Sequence, residues 1–327
     1  MSHKNYHEFY ADSHYDLGLK MGEAFADKAQ EAIAEAKEDH WEQRMAIGKQ
    51  QFEVTKKYFP DYISEIEGYS KGAQIDFMDL WTINIESDAF LKEGAKCTNL
   101  VTNFGKLIGH NEDADEPGYE NNVCVVKKTI NDLTILEIYY YNTLGGNSVG
   151  VNSFGFAQSL NTLLFTETTI GVPKNVIGRF LSDTKNPEND INTVLTIPRA
   201  SGYNHNIINT KGEIWNLELT NLNGHLTKPK SPFVHSNHCL STSTTYPDDF
   251  GTISRLKYFQ ENVKQHMSAE EVIALQENSS LGSNLSVFNE RTIGKMLIDF
   301  DQMETRIWLL REKELGWVSY SLDFIDI

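Results

Sequence analysis

Three cysteines occur in this chain of 327 residues: Cys97, Cys124 and Cys239. So sparse and odd a set builds no disulfide framework and points to a reducing compartment. Cys97 stands out by position. The segment Leu91–Lys96 (LKEGAK) reads as an exposed linker, and a strand-like run opens directly after Cys97. If the bond between Lys96 and Cys97 is cut, Cys97 gains a free α-amino group. Such an amine has an ordinary pKa of about 7.7–8.0. It can serve as general base for the thiol of its own residue, with no histidine required. Taken alone, Cys97 also fits an ordinary half-buried cysteine.

Other groupings carry different chemistry. His235, His238 and Cys239 lie within five residues (HSNHC) and suit a Cys–His hydrolase pair or a loose metal site. No second cluster completes that metal site, so no metal is assigned. His110, Glu112, Asp113 and Asp115 form an acidic group. Glu112 and Asp115 read as a solvated loop, whereas Asp113 does not. Cys124 lies among valines and reads as core, and His205 reads as structural. Gly145-Gly146 lacks the spacing of a phosphate loop, and no cofactor is expected. The tyrosines Tyr139–Tyr141 read as strand.

These residues need elements to hold them. From Ser13 to about Lys57 the apolar residues recur at helical spacing, with Ser13 as cap and Asp16 three residues on. Pro60 ends the next stretch. Further helices are predicted over Asp61–Lys71 and from Asp76 to about Phe90. After Cys97 the pattern changes. Strands are predicted at Thr98–Asn103 and Leu107–His110 as a hairpin, then at Val123–Lys128, Thr134–Tyr141, Gly155–Leu160, Asn206–Asn209 and Ile214–Leu219. Turns at Asn131-Asp132 and Lys211-Gly212 fit hairpins. Helices are expected at Lys174–Asp183, Glu188–Ile197, Ile253–Gln265 and Ala269–Gln276, and last strands at Thr292–Asp299 and Thr305–Leu310. That order suggests an α+β protein with largely antiparallel sheets.

Composition bounds the partners. The formal net charge is −17, which repels nucleic acid and anionic membranes. No run approaches the roughly 18 apolar residues of a membrane span. Met1–Tyr10 lacks the apolar core of a secretory signal. A cytoplasmic protein, with neither nucleic acid nor membrane as partner, is expected.

Several motifs recur in a familiar order: C-T-N-L from Cys97, G-H-N-E-D ending at Asp113, G-V-N-S-F-G (Gly150–Gly155), N-I-I-N-T-K-G-E (Asn206–Glu213), W-N-L-E (Trp215–Glu218) and V-H-S-N-H-C-L (Val234–Leu240). Together they resemble the acyl-coenzyme A:6-aminopenicillanic acid acyltransferase family, peptidase family C45 of the Ntn hydrolases, over about Ser13 to Leu310. The resemblance implies a four-layer αββα sandwich. Residues 1–96 would be a helical pro-segment that stays bound as an α-chain, and residues 97–327 the Ntn-hydrolase core. It implies a zymogen cut autocatalytically before Cys97, which then attacks a small-molecule acyl amide or thioester. Carried over position by position, it makes Cys97 the nucleophile, Asp113 its positioning carboxylate and Asn237 the oxyanion donor. Arg291 is the nearest match to the site arginine, with Asn111 and His238 as substrate contacts. The penicillin enzyme has Gly where this chain has Lys96. Two other classes stay open: an unprocessed binding or scaffold protein, and a hydrolase using Cys239 with His235 or His238.

Overall fold

The structure is a computed structural model that describes residues 2–37, 40–85, 97–114, 119–163, 168–242 and 251–326. The linker Leu91–Lys96, the end of the predicted helix at Phe90, and Asp115 lie outside the described residues.

The strands form two sheets. The first has the order β1-β4-β5-β6-β7-β8-β9-β10: β1 (Tyr6–Ala11), β4 (Val123–Ile130), β5 (Leu133–Tyr140), β6 (Val149–Asn152), β7 (Phe156–Thr162), β8 (Tyr203–Asn209), β9 (Ile214–Leu219) and β10 (Gly224–Thr227). The second has the order β11-β2-β3-β12-β13-β14: β2 (Thr98–Thr102), β3 (Leu107–Asp113), β11 (Phe233–His235), β12 (Thr292–Asp299), β13 (Glu304–Leu309) and β14 (Val318–Ser321). Only β1 and β4 pair in parallel; the other described ladders are antiparallel.

Side-chain alternation along each strand then sets the layers. Val123 and Val125 of β4 and Val101 and Ile108 of the β2–β3 hairpin join a core between the two sheets. Cys124 and Val126 point the other way, into a core under helices α1 (His14–Ala24), α2 (Ala26–Ala36), α3 (Trp41–Tyr58), α4 (Pro60–Ala73), α5 (Phe77–Asn84), α6 (Lys174–Ser182) and α7 (Pro187–Thr196). Leu100, Leu107 and Leu297 face outward from the second sheet, against α8 (Thr252–Asn262) and α9 (Ala269–Gln276). The result is the expected α+β arrangement, layered αββα. No helix among the described residues is long and apolar enough to cross a membrane.

The helical reading of the N-terminal third needs two corrections. The segment opens with a strand: β1 lies beside β4, Tyr6 opposite Val125, at the edge of the first sheet. Its Tyr-His-Glu-Phe-Tyr-Ala pattern buries only Phe9 and Ala11, too little apolar alternation to stand out in sequence. The stretch Ser13 to Lys57 is also three helices. Ser13 caps the first, its hydroxyl accepting from the Asp16 N–H at 3.1 Å. Phe25 then leaves helical geometry at φ −118°, ψ 20° and packs edge-on against Phe9 and Tyr141. Pro60 does end the stretch, and it also opens α4, where its missing N–H costs nothing.

Helices α1 and α4 touch backbone to backbone. Gly18 and Gly22 face α4, while Gly68 and Gly72 face α1. A Cβ on Gly18 would lie 1.9 Å from the Glu65 carbonyl oxygen. The contact therefore excludes any side chain at that position.

Candidate active site

Cys97 is buried one residue before β2. The β2–β3 hairpin sets its surroundings. Thr98 pairs with Asn111, and Asn99 with His110. The reversal is made by Asn103, Phe104 and Gly105, all at positive φ. On β3, His110 and Glu112 share one face, and Asn111 and Asp113 share the other.

The first face looks across to the first sheet. Cys97 Sγ, a ring nitrogen of His110 and a carboxylate oxygen of Glu112 lie within 4.8 Å of one another, all buried. His110 Nε2 donates to Glu112 Oε2 at 2.9 Å. Glu112 also accepts from Tyr140 Oη at 2.7 Å and from Ser148 Oγ at 2.6 Å, both on or beside the first sheet. The predicted strand stopped at His110. It runs on to Asp113, and that extension buries Glu112 at 3% exposure. The reading of Glu112 as a solvated loop residue is thereby corrected. Counting strand parity through to Asp113 would have found it.

Asp113 accepts from Thr292 Oγ1 at 2.6 Å and Asn289 Nδ2 at 2.7 Å, with Arg255 Nη1 at 3.9 Å. Burial pushes its carboxyl up to about 6, against the pull of Arg255, Thr292 and Asn289. Burial also drives the Cys97 thiol well up, aided by Glu112 and Asp113. A backbone hydrogen bond from Asp113 and the Arg255 charge oppose this. An uncharged thiol needs a base before it can attack.

Arg255 is the residue that sequence reasoning missed. It projects from α8, fully buried. Its Nη1 donates to the Cys97 carbonyl oxygen at 3.0 Å and its Nη2 to Asn237 Oδ1 at 2.9 Å. A signal existed: Arg255 shares the buried stripe of α8 with Thr252, Leu256 and Phe259. A charged residue at an apolar helical position is buried only for a partner.

Asn237 is held by its own N–H to Thr252 Oγ1 at 3.0 Å, and its Nδ2 donates to the Thr162 carbonyl at 2.9 Å. His238 is half-buried, with Nδ1 2.9 Å from the same Thr252 hydroxyl. Arg291 meets the neighbourhood at its backbone, where its carbonyl accepts from the Ala114 N–H at 2.9 Å. Asn111 is turned to α9. Its Nδ2 donates to the Gln276 and Val287 carbonyls, and its Oδ1 accepts from Gln276 Nε2. The structure thus gathers Cys97, Asp113 and Asn237 around Arg255. It uses Asn111 to bind strand to helix.

Beyond Cys97 the space between the sheets turns polar. Ser159 Oγ donates across to Asn99 Oδ1 at 2.7 Å. Asn161, Asn204, Asn206 and Asn216 continue this face over β7, β8 and β9 as one hydrogen-bonded set. Asn99 Nδ2 and Asn161 Nδ2 have no hydrogen-bond partner among the described residues.

The remaining candidates sit apart. Both ring nitrogens of His235 face acceptors, Glu218 Oε1 at 3.0 Å and the Ser236 carbonyl at 2.6 Å. Neither is left to activate Cys239 or to ligate a metal. Burial would raise Glu218, but donors from His235, Ser241 and Leu240 hold it down at about 2. Cys124 is core, its thiol pushed up to about 12 by burial. His205 is buried with neither ring nitrogen paired among the described residues, and burial takes it down to about 3.

The beta-alanyl-dopamine/carcinine hydrolase of Drosophila melanogaster is 25% identical over 207 residues, 53% of this chain and 53% of that protein. The chain thus spans about half the length of the curated relative it matches. Among solved structures, a mutant conjugated bile acid hydrolase from Clostridium perfringens aligns at 13% identity and a TM-score of 0.43, covering 71% of this chain and 93% of that one. Penicillin V acylase from Agrobacterium tumefaciens aligns at 9% identity and a TM-score of 0.42, covering 65% and 83%. The family model described as acyl-coenzyme A:6-aminopenicillanic acid acyl-transferase matches residues 101–309, more than half of the chain, beginning just after Cys97 and including Asp113, Asn237 and Arg255. The chain therefore belongs to the acyl-coenzyme A:6-aminopenicillanic acid acyl-transferase family.

Proposed function

We propose that the chain is an amide hydrolase or acyltransferase with Cys97 as nucleophile, released by self-cleavage between Lys96 and Cys97. The observation that carries this reading is the bridge from Arg255 to the Cys97 carbonyl and to Asn237. It fixes the nucleophile's backbone and the amide of Asn237 in one frame. After cleavage the α-amine of Cys97 takes the thiol proton and the thiolate attacks the substrate carbonyl. An amide N–H of Asn237 suits the oxyanion, since it stabilises charge without giving up a proton. Asp113 and Arg255 form the charged frame behind the nucleophile. Water resolves the acyl-enzyme by hydrolysis, and an amine resolves it by acyl transfer.

The substrate class is a small-molecule acyl amide or thioester, admitted to the polar space between the sheets. Beta-alanyl amides, named for the Drosophila relative, are the first compounds to assay. Residues 1–96 remain attached after cleavage, because β1 pairs with β4 and α1–α5 share the core under the first sheet. The commitment of His235 to Glu218 disfavours His235 as the partner of Cys239. Intact mass measurement tests the reading. Cutting after residue 96 of 327 gives fragments of 96 and 231 residues, the larger beginning with Cys97. A chain that stays whole on long incubation and turns over no acyl amide supports the scaffold alternative instead.

A further inference from the structure

The cluster of Cys97, His110 and Glu112 offers a chemistry that the proposed reaction does not use. We propose that these three side chains bind one borderline transition-metal ion, with Zn²⁺ the fitting case, and that the bound ion masks the Cys97 thiol. Binding depends only on the folded chain. Its effect on turnover rests on Cys97 being the nucleophile.

Cys97 Sγ, one ring nitrogen of His110 and one carboxylate oxygen of Glu112 lie within 4.8 Å of one another, all buried. Tetrahedral zinc, with bonds of about 2.0–2.3 Å, spaces its ligand atoms roughly 3–4 Å apart, inside that limit. The β2–β3 hairpin holds the set together, with Asn99 opposite His110 and Thr98 opposite Asn111. His110 is not committed elsewhere. Its Nε2 bonds Glu112, and its Nδ1 has no hydrogen-bond partner among the described residues. A buried polar atom without a partner calls for a ligand or another explanation. His235 differs, since both its ring nitrogens face acceptors. Glu112 is oriented by Tyr140 Oη and Ser148 Oγ, the outer support that metal-binding carboxylates carry.

Charge favours the ion. Burial, with the Glu112 and Asp113 carboxylates close by, keeps the free thiol protonated. On binding, the Sγ proton leaves to solvent as a sulfur lone pair bonds the metal. Nothing is oxidised or reduced. The two positive charges of the ion then meet one thiolate, one carboxylate and a neutral imidazole. Ion and ligands together carry no net charge, which burial requires. Sulfur, imidazole nitrogen and a single carboxylate oxygen suit Zn²⁺, whereas Mg²⁺ and Ca²⁺ take oxygen sets. The fourth tetrahedral position is left to water. A sulfur whose lone pair is held by the metal is withdrawn from attack.

The full-length chain, cleaved or intact, is stripped with a chelator and titrated with Co²⁺ as a spectroscopic substitute for Zn²⁺. Wild type should develop the near-ultraviolet thiolate-to-cobalt absorption at stoichiometric Co²⁺, and Zn²⁺ should displace it. Cys97→Ala should abolish the band, whereas Cys124→Ala and Cys239→Ala should keep it. His110→Gln and Glu112→Gln, each checked for cooperative melting, should weaken Co²⁺ binding at least about 10-fold. In wild type, Zn²⁺ well above its Kd should slow iodoacetamide labelling of Cys97 about 10-fold or more, read by peptide mass. A chelator should restore the rate, and Mg²⁺ should not change it. No band in wild type, a band that survives in Cys97→Ala, or equal protection by Mg²⁺ overturns the proposal. A band lost in Cys239→Ala instead places the metal elsewhere and overturns it equally. If His110→Gln does not fold, Glu112→Gln and the wild-type labelling decide. Turnover is read separately: a Zn²⁺-saturated chain that keeps its full rate counts against Cys97 as nucleophile and leaves the metal site standing.

Discussion

Arg255 joins two residues that lie 140 positions apart in sequence: its guanidinium donates to the carbonyl of Cys97 and to the side-chain oxygen of Asn237. A planar fork reaches both at once, which an ammonium on a flexible stem does not. Arg255→Lys should therefore keep the charge near Asp113 but lose the frame. We expect kcat to fall about 10²-fold, as for loss of an oriented donor. Arg255→Met should cost similar activity and also lower the melting temperature, because Asp113 then stays buried beside no cation. Turnover and thermal melts of both variants check this. Full turnover in Arg255→Lys would remove the bridge from the mechanism.

Asn237→Ala should cost about 10²–10³ in kcat and leave the fold intact, since it removes an oxyanion donor from a rigid position. The measurement is kcat against far-ultraviolet circular dichroism. The helix that follows it should keep its place through Arg255 and Phe259, both buried.

Cys97→Ser should block or slow both cleavage and turnover, because a hydroxyl is the weaker nucleophile at neutral pH. Cys239→Ala should leave both largely unchanged, as His235 is committed to Glu218 and Ser236. The reverse pattern would transfer the chemistry to Cys239 and end the N-terminal-nucleophile reading.

Asp113 titrates at about 6 in the fold against an ordinary 3.8. Its folded-state value is raised, so the native state binds the proton more tightly than the unfolded chain. This carboxyl should thus lower stability progressively as pH rises from about 4 to about 6, and by a constant amount above that. The displacement corresponds to roughly 3 kcal/mol. Asp113→Asn lacks this titration. The stability difference between Asp113→Asn and wild type, from urea melts across pH 4–7, should widen in favour of the variant as pH rises. A flat difference would mean that Arg255 holds the carboxyl at its ordinary value.

Gly18→Ala places a methyl 1.9 Å from the Glu65 carbonyl oxygen, backbone that cannot swing aside. Helices α1 and α4 must separate, at a cost of about 1–3 kcal/mol or more. Chemical denaturation of the intact chain reads the loss. In a cleaved sample, size-exclusion chromatography should show residues 1–96 leaving the core at lower denaturant than in wild type.

Sequence alone reached a good deal of this protein. The linker-to-strand boundary singled out Cys97, alternation gave most of the strands, and the C-T-N-L, N-E-D and N-H-C motifs pointed to Cys97, Asp113 and Asn237. Those signals are local: one strand, one hairpin, one short motif at a time. Short or weakly alternating strands escaped. β1 buries only two apolar residues, β11 has three residues, and β14 has four. Each becomes a strand because a partner is there to take its hydrogen bonds, and no partner is visible in a local window.

The same limit governs the site. Asn111 and Asp113 stand two apart on one face of β3, yet one is consumed by α9 and the other faces Arg255. Glu112 looked like a solvated acid until β3 was seen to run beneath Tyr140 and Ser148. Arg255 carried no motif and became the hub only when α8 was laid across the start of β2. Residue type and spacing determined which groups could do chemistry. Packing of the two sheets and the outer helices decided which of them meet, because burial, and with it the strength of every charge and hydrogen bond in the site, is a property of the assembled layers.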